Sequence, residues 1–231
     1  MQLVISECGE AQMYGIPVAT LDVETTGIGS DARICQIAII HSNLGKGNQK
    51  VAYSSLVNPE IPIPPVTSAI HGIKDDDVRD SGIFSDHCGA IREALKGRLL
   101  AAYNLPFDWR MLNGEMRRIG QPEYSFFGVC GLVLAREVDS DLRGRGVHKL
   151  ESVCARRGMT FRAHCAEADA MVTSQLLDRL LREAANAFGK FGAVREYWSW
   201  QRRAGITQEE DFRAYLRGKG KTRGEWPWTD L

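Results

Sequence analysis

The sequence predicts an α/β protein in which helices cover a mixed β-sheet. Three β-rich runs come first, "IPVATLDVE", "ARICQIAIIHSN" and "QKVAYSSLVNP". Helical and β-rich segments then alternate, and a long amphipathic pattern follows in "CAEADAMVTSQLLDRLLREAANAF". Strands that alternate with helices are typical of the α/β class.

The first half of the chain is expected to form a meander followed by helices. "LGKG" separates the second and third β-rich runs as a hairpin-like turn, so the three strands should be antiparallel. The prolines of "IPIPPVTSAIHGI" exclude a regular central strand and predict a loop that leads into a short helix. "SDHCGAIREALKG" should be the next helix, with Ser85 as its N-cap and Gly97 as its stop.

The second half returns to alternating elements. "RLLAAYN" predicts a short buried strand, and "PFDWRMLNGEMRRIG" predicts a helix with Pro106 in its first turn. "GLVLAREV" and "HKLESVCARRG" look helical and are separated by the polar "DSDLRGRG". The long pattern then predicts a helix with apolar residues at core spacing, namely Met171, Leu176, Leu177 and Leu180.

Composition and charge exclude several classes of protein. The chain has 29 basic and 29 acidic residues, so attraction to a polyanion would need local basic patches or a bound metal. No apolar run approaches the roughly 20 residues of a membrane-spanning helix, and the N-terminus lacks a secretory signal pattern. The six cysteines have no zinc-ligand spacing, which favours reduced thiols in a cytoplasmic protein without membrane contact.

Asp22 and Glu24 interrupt the first buried strand two residues apart. Strand alternation places both carboxylates on one face, where they repel each other unless a cation lies between them. Asp108 follows another buried strand, and Asp169 lies in the long helix, five residues after His164. Acids from three separate elements are typical of a divalent-metal site, because Mg²⁺ prefers oxygen ligands. A histidine beside such a site can deprotonate water.

Each of these residues also has an ordinary explanation. A lysine or arginine could neutralise the paired acids of the strand, and Asp108 could simply favour its helix N-terminus. Asp169 could be a solvated helix carboxylate, and His164 an ordinary surface histidine. The combination of all five favours the metal site over these separate explanations.

The chain resembles the DEDDh family of 3′–5′ exonucleases through five residues in the family's order: Asp22, Glu24, Asp108, His164 and Asp169. Their motifs are "LDVETTG", "AYNLPFDWRML" and "HCAEADAMVT", and "IHGIKDDDV" and "HKLESVCARRG" match segments between them. The resemblance covers about residues 16–185. It looks closest to the epsilon-like proofreading subunit of bacterial DNA polymerase III.

That resemblance implies a ribonuclease-H-like fold with a five-stranded mixed β-sheet flanked by α-helices. It also implies two divalent metal ions, Mg²⁺ or Mn²⁺, and hydrolysis of DNA or RNA from a single-stranded 3′ end to nucleoside 5′-monophosphates. Asp22, Glu24 and Asp169 would bind the first metal, with Asp22 also contacting the second. Asp108 would act largely through water, and His164 would be the general base.

The resemblance further implies a set of substrate-binding residues. Three would line the terminal nucleotide through backbone contacts, namely Thr25, Thr26 and Gly27. Three others would pack against its base and sugar, namely Ile70, His71 and Phe107. Asn104 would orient the second motif or contact substrate. Many family members carry an Asp-Thr pair where this chain has Cys130-Gly131, a departure that bears on the substrate class but not on the metal ligands.

The expected organisation is a leader over 1–15, an exonuclease domain over 16–187 and a C-terminal extension over 188–231. The extension holds four of the five tryptophans and is rich in arginine and lysine. Its aromatics could stack on single-stranded nucleic acid, or they could pin the extension onto the domain. It is also where a protein partner is expected. The competing interpretation of the whole chain is a non-catalytic nucleic-acid-binding or partner-docking module on the same fold.

Overall fold

The computed structural model describes residues 12–142, 144 and 146–222, and it contains a five-stranded sheet. The strands are β1 (Pro17–Thr25), β2 (Ile34–Asn43), β3 (Lys50–Leu56), β4 (Leu99–Ala102) and β5 (Gly128–Cys130). They lie in the order β3-β2-β1-β4-β5. The first three form the predicted antiparallel meander, and β4 and β5 run parallel to β1. The predicted mixed sheet is confirmed.

Eight helices in the described part of the chain flank this sheet. They are α1 (Pro65–His71), α2 (Asp75–Val78), α3 (Phe84–Leu95), α4 (Leu105–Arg118), α5 (Gly131–Val138), α6 (Leu150–Arg156), α7 (Ala166–Phe188) and α8 (Val194–Arg217). Within the same residues, no helix is both long and apolar enough to span a bilayer.

One predicted helix boundary is wrong. We expected Ser85 to cap α3, but the helix begins at Phe84 and its N-cap residue is Ile83. The Asp86 carboxylate accepts a hydrogen bond from the Ile83 N–H at 2.9 Å and so satisfies one of the free donors at the helix start. Asp86, inside the first turn, therefore stabilises the helix start in place of the Ser85 hydroxyl that we expected to cap it.

The alternation of β1 assigns its side chains to two cores. Leu21 and Val23 pack in one cluster with Leu112 of α4. Val18 faces the other side, in a cluster with Leu176 of α7. Because side chains two residues apart share a face, the two acids of β1 lie on the side of α7. The sheet thereby aims them at the helix that carries the third motif.

The C-terminal extension contains a helix that the sequence did not reveal. α8 packs on the domain core through the buried Tyr197 and Gln201. The Gln201 amide donates from Nε2 to the Gly128 carbonyl at 2.9 Å, and its Oε1 accepts the Cys130 N–H at 2.7 Å. Gln201 thus forms hydrogen bonds with one carbonyl and one N–H group of the edge strand β5.

The extension's described tryptophans also pack against the protein. Trp198 makes edge-on contacts with Phe126 and Phe127, with ring centroids 5.7 and 5.1 Å apart. Trp200 lies 5.2 Å from Phe191. These contacts favour packing over base stacking for the two residues. Trp226 and Trp228 lie outside the described residues, as does the predicted leader up to residue 11. The protein partner of the extension stays a prediction.

Candidate active site

Three elements bring the four predicted acids to one cleft. Asp22 and Glu24 lie near the end of β1, Asp108 lies in the first turn of α4, and Asp169 lies in the first turn of α7. The cleft has a volume of about 330 Å³, and its lining includes all four acids together with His164. The carboxylates therefore converge, as the sequence predicted.

Burial and mutual repulsion make these carboxylates reluctant to ionise. Asp108 and Asp169 are only 4% and 7% exposed. The pKa of Asp22 lies well above its ordinary value, first because of burial and then because of the charges of Asp108 and Asp169. Burial likewise raises the pKa of Asp108 well above its ordinary value, although hydrogen bonds from the backbone oppose the shift. The cleft therefore groups carboxyl groups whose charged forms are disfavoured by burial and by one another.

The two other acids are shifted in the same direction. Burial and the neighbouring Asp169 raise the pKa of Glu24 to about 7. Burial raises the pKa of Asp169 to about 6, against the opposing hydrogen bond from the His164 backbone. Strongly raised carboxyl pKa values in a cleft are typical of functional sites rather than of structural ion pairs.

His164 approaches the acids from the loop between α6 and α7. Its backbone is left-handed, with φ of +64°, which is uncommon for a residue other than glycine. Its N–H donates to Asp169 Oδ2 at 2.9 Å, which fixes the backbone of the loop against α7. Its ring Nε2 lies 3.6 Å from Glu151 Oε1. The imidazole is about half exposed and so stays accessible to a substrate.

The donor set of the cleft fits a divalent cation. One ligand atom from each of Glu24, His164 and Asp169 lies within 4.8 Å of the others. The Oδ1 atom of Asp169 is buried and has no hydrogen-bond partner among the described residues. A buried carboxylate oxygen without a partner is costly unless it binds a cation. Carboxylate oxygens are the ligands that Mg²⁺ and Mn²⁺ prefer.

A protein-family model for exonucleases of the RNase_T type matches residues 20–177, which span all five predicted residues. The chain belongs to this exonuclease family. The exonuclease is 30% identical over 176 residues to the uncharacterized exonuclease CP81 of Escherichia phage 186, covering 71% of this chain and 88% of that protein. It is 28% identical to the DNA polymerase III epsilon subunit of Treponema pallidum, over 75% of this chain and 80% of the relative.

Solved structures share the fold of the exonuclease. Exonuclease X, in complex with 5′-overhanging duplex DNA, superposes with a TM-score of 0.57 at 24% identity, over 76% of this chain and 95% of that one. The nuclease domain of 3′hExo, a DEDDh family member bound to rAMP, gives a TM-score of 0.61 at 17% identity, over 75% of this chain and 95% of that one. The exonuclease therefore has the expected fold, and the family model and the relatives confirm that it is an exonuclease.

Two of the predicted substrate residues lie in the cleft of the exonuclease. Asn104 and Phe107 both line it. The Asn104 Oδ1 is buried and unpartnered within the described part of the chain, so it is free to accept a hydrogen bond. The Arg110 guanidinium lies over the Phe107 ring, 5.8 Å from its centroid, and places a positive charge beside the cleft.

The other predicted substrate residues lie outside the immediate lining of the cleft. Thr25, Thr26 and Gly27 form the end of β1 and the start of the following loop, where the Thr25 hydroxyl donates to the Gly27 carbonyl at 2.6 Å. Ile70 is exposed on α1. His71 is half-buried, and its Nδ1 accepts the Ile73 N–H at 3.1 Å. The His71 ring is thus held by the protein, which fits a packing role better than hydrogen bonding to substrate.

Two cleft residues were missed from the sequence. Glu151 of α6 lines the cleft and approaches His164, and Tyr103 also lines the cleft. Glu151 is the acid of "HKLESVCARRG", but its position in the predicted helix did not indicate that its side chain would face the cleft. Tyr103 also explains why glycine stands at 131, because a Cβ there would lie 3.0 Å from the Tyr103 ring.

Proposed function

We propose that the exonuclease removes nucleotides one at a time from the 3′ end of single-stranded DNA or RNA and releases nucleoside 5′-monophosphates. The observation that carries this proposal is the convergence in a single cleft of one accessible histidine and four acids, two of them buried and two half-buried. The relatives support it, because one is the epsilon subunit of a DNA polymerase. Two solved structures of the same fold contain DNA or a nucleotide.

The acids of the cleft would hold two divalent cations, Mg²⁺ or Mn²⁺. The ligands would be Asp22, Glu24 and Asp169, with Asp108 contributing mainly through water. When bound, such ions supply the positive charge that offsets the acids and the incoming phosphate. The raised carboxyl pKa values support this assignment, since burial and, at Asp22, Glu24 and Asp108, the neighbouring carboxylates disfavour the charged forms that a bound cation would stabilise.

His164 would take the proton from the attacking water at a ring nitrogen. Its half-exposed imidazole can reach a substrate at the mouth of the cleft, and its backbone is fixed by the hydrogen bond to Asp169. A positioned general base of this kind contributes about 10²–10⁴ in rate. The proton leaves the water as the oxygen attacks phosphorus, and the bond to the departing 3′ oxygen breaks.

The remaining predicted residues would hold the terminal nucleotide. Phe107 and Ile70 offer apolar surfaces for base and sugar, and Asn104 offers a free acceptor beside Asp108. Backbone groups of Thr25, Thr26 and Gly27 would line the nucleotide at the end of β1. The alternative, a binding module without turnover, would be favoured by loss of a metal ligand, and the chain retains all four acids and the histidine.

The proposal is tested with single-stranded DNA and RNA labelled at the 3′ or the 5′ end, in Mg²⁺, Mn²⁺ or EDTA. We expect the 3′ label to be released first as a mononucleotide, and no cleavage in EDTA. Asp22→Ala should abolish activity, and His164→Ala should lower kcat about 10²- to 10⁴-fold. Glu167→Ala is the control, because Glu167 is exposed and close in sequence to His164 but does not line the cleft.

Each contrary outcome removes a different part of the proposal. Equal activity in EDTA would exclude the metal site. Full activity of His164→Ala would mean that another group is the base. Release of the 5′ label first would reverse the direction. Binding of oligonucleotides without any cleavage would favour the non-catalytic module.

A further inference from the structure

Arg33 joins three segments, one of which, α4, lines the cleft through Phe107 and Asp108. Its Nε donates to both carboxylate oxygens of Glu115 on α4, at 2.8 and 3.1 Å. Its Nη2 donates to Glu60 Oε2 at 2.9 Å. The Arg33 side chain is only 12% exposed and that of Glu115 only 1%, so their contact is shielded from solvent.

The first segment that Arg33 holds is the loop between β1 and β2, residues 26–33. The loop is closed by two hydrogen bonds between its ends, from Thr26 N–H to the Arg33 carbonyl at 2.9 Å and from Arg33 N–H to Thr26 Oγ1 at 3.0 Å. α4 also donates to the loop from Arg110 and Arg118, to the carbonyls of Ile28 and Ser30, both at 2.9 Å. These hydrogen bonds hold the loop against α4, the helix that carries Asp108.

The second segment is residues 58–78, here called the cap, which contains α1 and α2. Its own core is small: Ile63, Ile73 and Val78 pack with Cys35 of β2. All residues of α1 are described, and none of its side chains is buried. An element with so few buried contacts is of low local stability unless other interactions hold it.

Two side-chain contacts link the cap to β2 and the loop before it, in addition to the packing on Cys35 and the backbone hydrogen bond from Asn58 N–H to the Gly82 carbonyl at 2.7 Å. The Cys35 Sγ lies 3.9 Å from His71 Nε2. The other contact is the Arg33–Glu60 ion pair. A further ion pair of the cap, Asp76–Arg79, joins α2 only to the residue that follows it. Glu60 has a left-handed backbone with φ of +60°, a conformation that costs free energy and persists only where surroundings enforce it.

We propose that Arg33 is a positioning residue for substrate, which fixes the cap and the β1–β2 loop against α4 through Glu60 and Glu115. The inference rests on the proposed function, because the cap carries Ile70 and the loop begins with Thr26 and Gly27. The contacts of Arg33 with Glu60 and Glu115 thus help to bind the terminal nucleotide and take no part in bond cleavage. Loss of the Arg33–Glu60 contact therefore raises KM and leaves kcat unchanged.

Glu60→Ala is the informative variant, because Glu60 is half exposed and its removal leaves the buried Arg33–Glu115 pair intact. We expect KM for a single-stranded oligonucleotide to rise about three- to tenfold, the range of a partly shielded charged hydrogen bond. We expect kcat to stay within about twofold and amide hydrogen exchange of residues 58–78 to become faster. Glu60→Gln retains an acceptor for Arg33 and should restore most of the affinity.

Glu123→Ala is the matched control. Glu123 forms an ion pair of the same 2.9 Å length with Arg117 at the far end of α4, and it is similarly exposed. It should change neither KM nor exchange in the cap.

Three outcomes overturn the inference. One is an unchanged KM with unchanged exchange. Another is faster exchange without a change in KM, because the cap would then loosen without consequence for substrate. The third is a raised KM with unchanged exchange, which would mean that Glu60 touches substrate itself. If the wild-type protein degrades no nucleic acid, the proposed function is contradicted. The hydrogen-exchange measurement does not depend on nuclease activity, so it would still show whether Glu60 holds the cap.

Discussion

Asp169→Asn should abolish cleavage and yet make the metal-free protein more stable. Asn keeps the shape of the side chain, and its oxygen can still accept the His164 N–H that Asp169 Oδ2 accepts now. What disappears is a negative charge buried among three others. Activity and stability are therefore expected to move in opposite directions at this position.

The magnitude follows from the shift of the Asp169 pKa from its ordinary value of 3.8 to about 6. Two units at 1.36 kcal/mol each correspond to about 3 kcal/mol as an upper limit, since the neighbouring acids share the cost. For a chain of this size, 1 kcal/mol shifts Tm by about 2–4 °C, so the variant should melt up to about 6–12 °C higher.

The pH dependence has a definite sign. A carboxyl whose pKa is raised by folding binds its proton more tightly in the native state, so the wild type loses stability as pH rises from about 4 to about 6. The gain from Asp169→Asn should thus be full at pH 8 and vanish near pH 4. Thermal unfolding in EDTA measures it, and added Mn²⁺ should raise the Tm of the wild type more than that of the variant.

Asp178→Asn is the control for this prediction. Asp178 lies on the same helix and is also buried, but its carboxylate accepts hydrogen bonds from Gly45 N–H at 2.5 Å and Gly47 N–H at 3.2 Å. Its neutralisation should lower Tm. If Asp169→Asn melts at or below the wild-type temperature in EDTA at pH 8, the reasoning that these acids are electrostatically crowded is refuted.

Three further predictions concern stability. Glu115→Ala leaves the Arg33 charge buried and should cost about 3–5 kcal/mol in urea unfolding, and a cost below 1 kcal/mol would contradict the assigned ion pair. Gly128→Ala would place its Cβ 2.2 Å from the Leu100 carbonyl oxygen, so we expect the free energy of urea unfolding to fall by about 1–3 kcal/mol. Wild-type stability would mean that β4 and β5 can move apart at little cost. Gln201→Leu leaves two backbone groups of β5 unpaired and should cost about 1–3 kcal/mol for each, whereas an unchanged Tm would show that α8 is dispensable.

Short-range patterns were sufficient to predict the antiparallel meander, β4 and the four acids, whereas the five-stranded sheet that includes β5 was implied only by the family resemblance. Strand alternation placed Asp22 and Glu24 on one face without any knowledge of the fold. The helix that carries Asp169 follows from apolar spacing within one segment, and Pro106 marks the start of the helix that carries Asp108. The convergence of the acids was expected because a divalent cation takes several oxygen ligands, and the family resemblance through the order of the motifs implied the same site.

Contacts between distant residues were not visible in the same way. Arg33 and Glu115 are 82 residues apart, and nothing in either neighbourhood marks them as partners. α8 was missed because its buried face includes Gln201, a polar residue that interrupts the apolar pattern expected of a packed helix. The amide becomes interpretable only when the β5 backbone lies opposite it.

The side-chain amide of Gln201 imitates a neighbouring strand, since its N–H and C=O groups meet β5 as a sixth strand's peptide would. An unpaired strand edge is a template for sheet growth between molecules. A minimal nuclease trimmed after Phe188 would therefore be prone to self-association, which light scattering could detect. Anyone shortening this enzyme should keep the chain through Arg217.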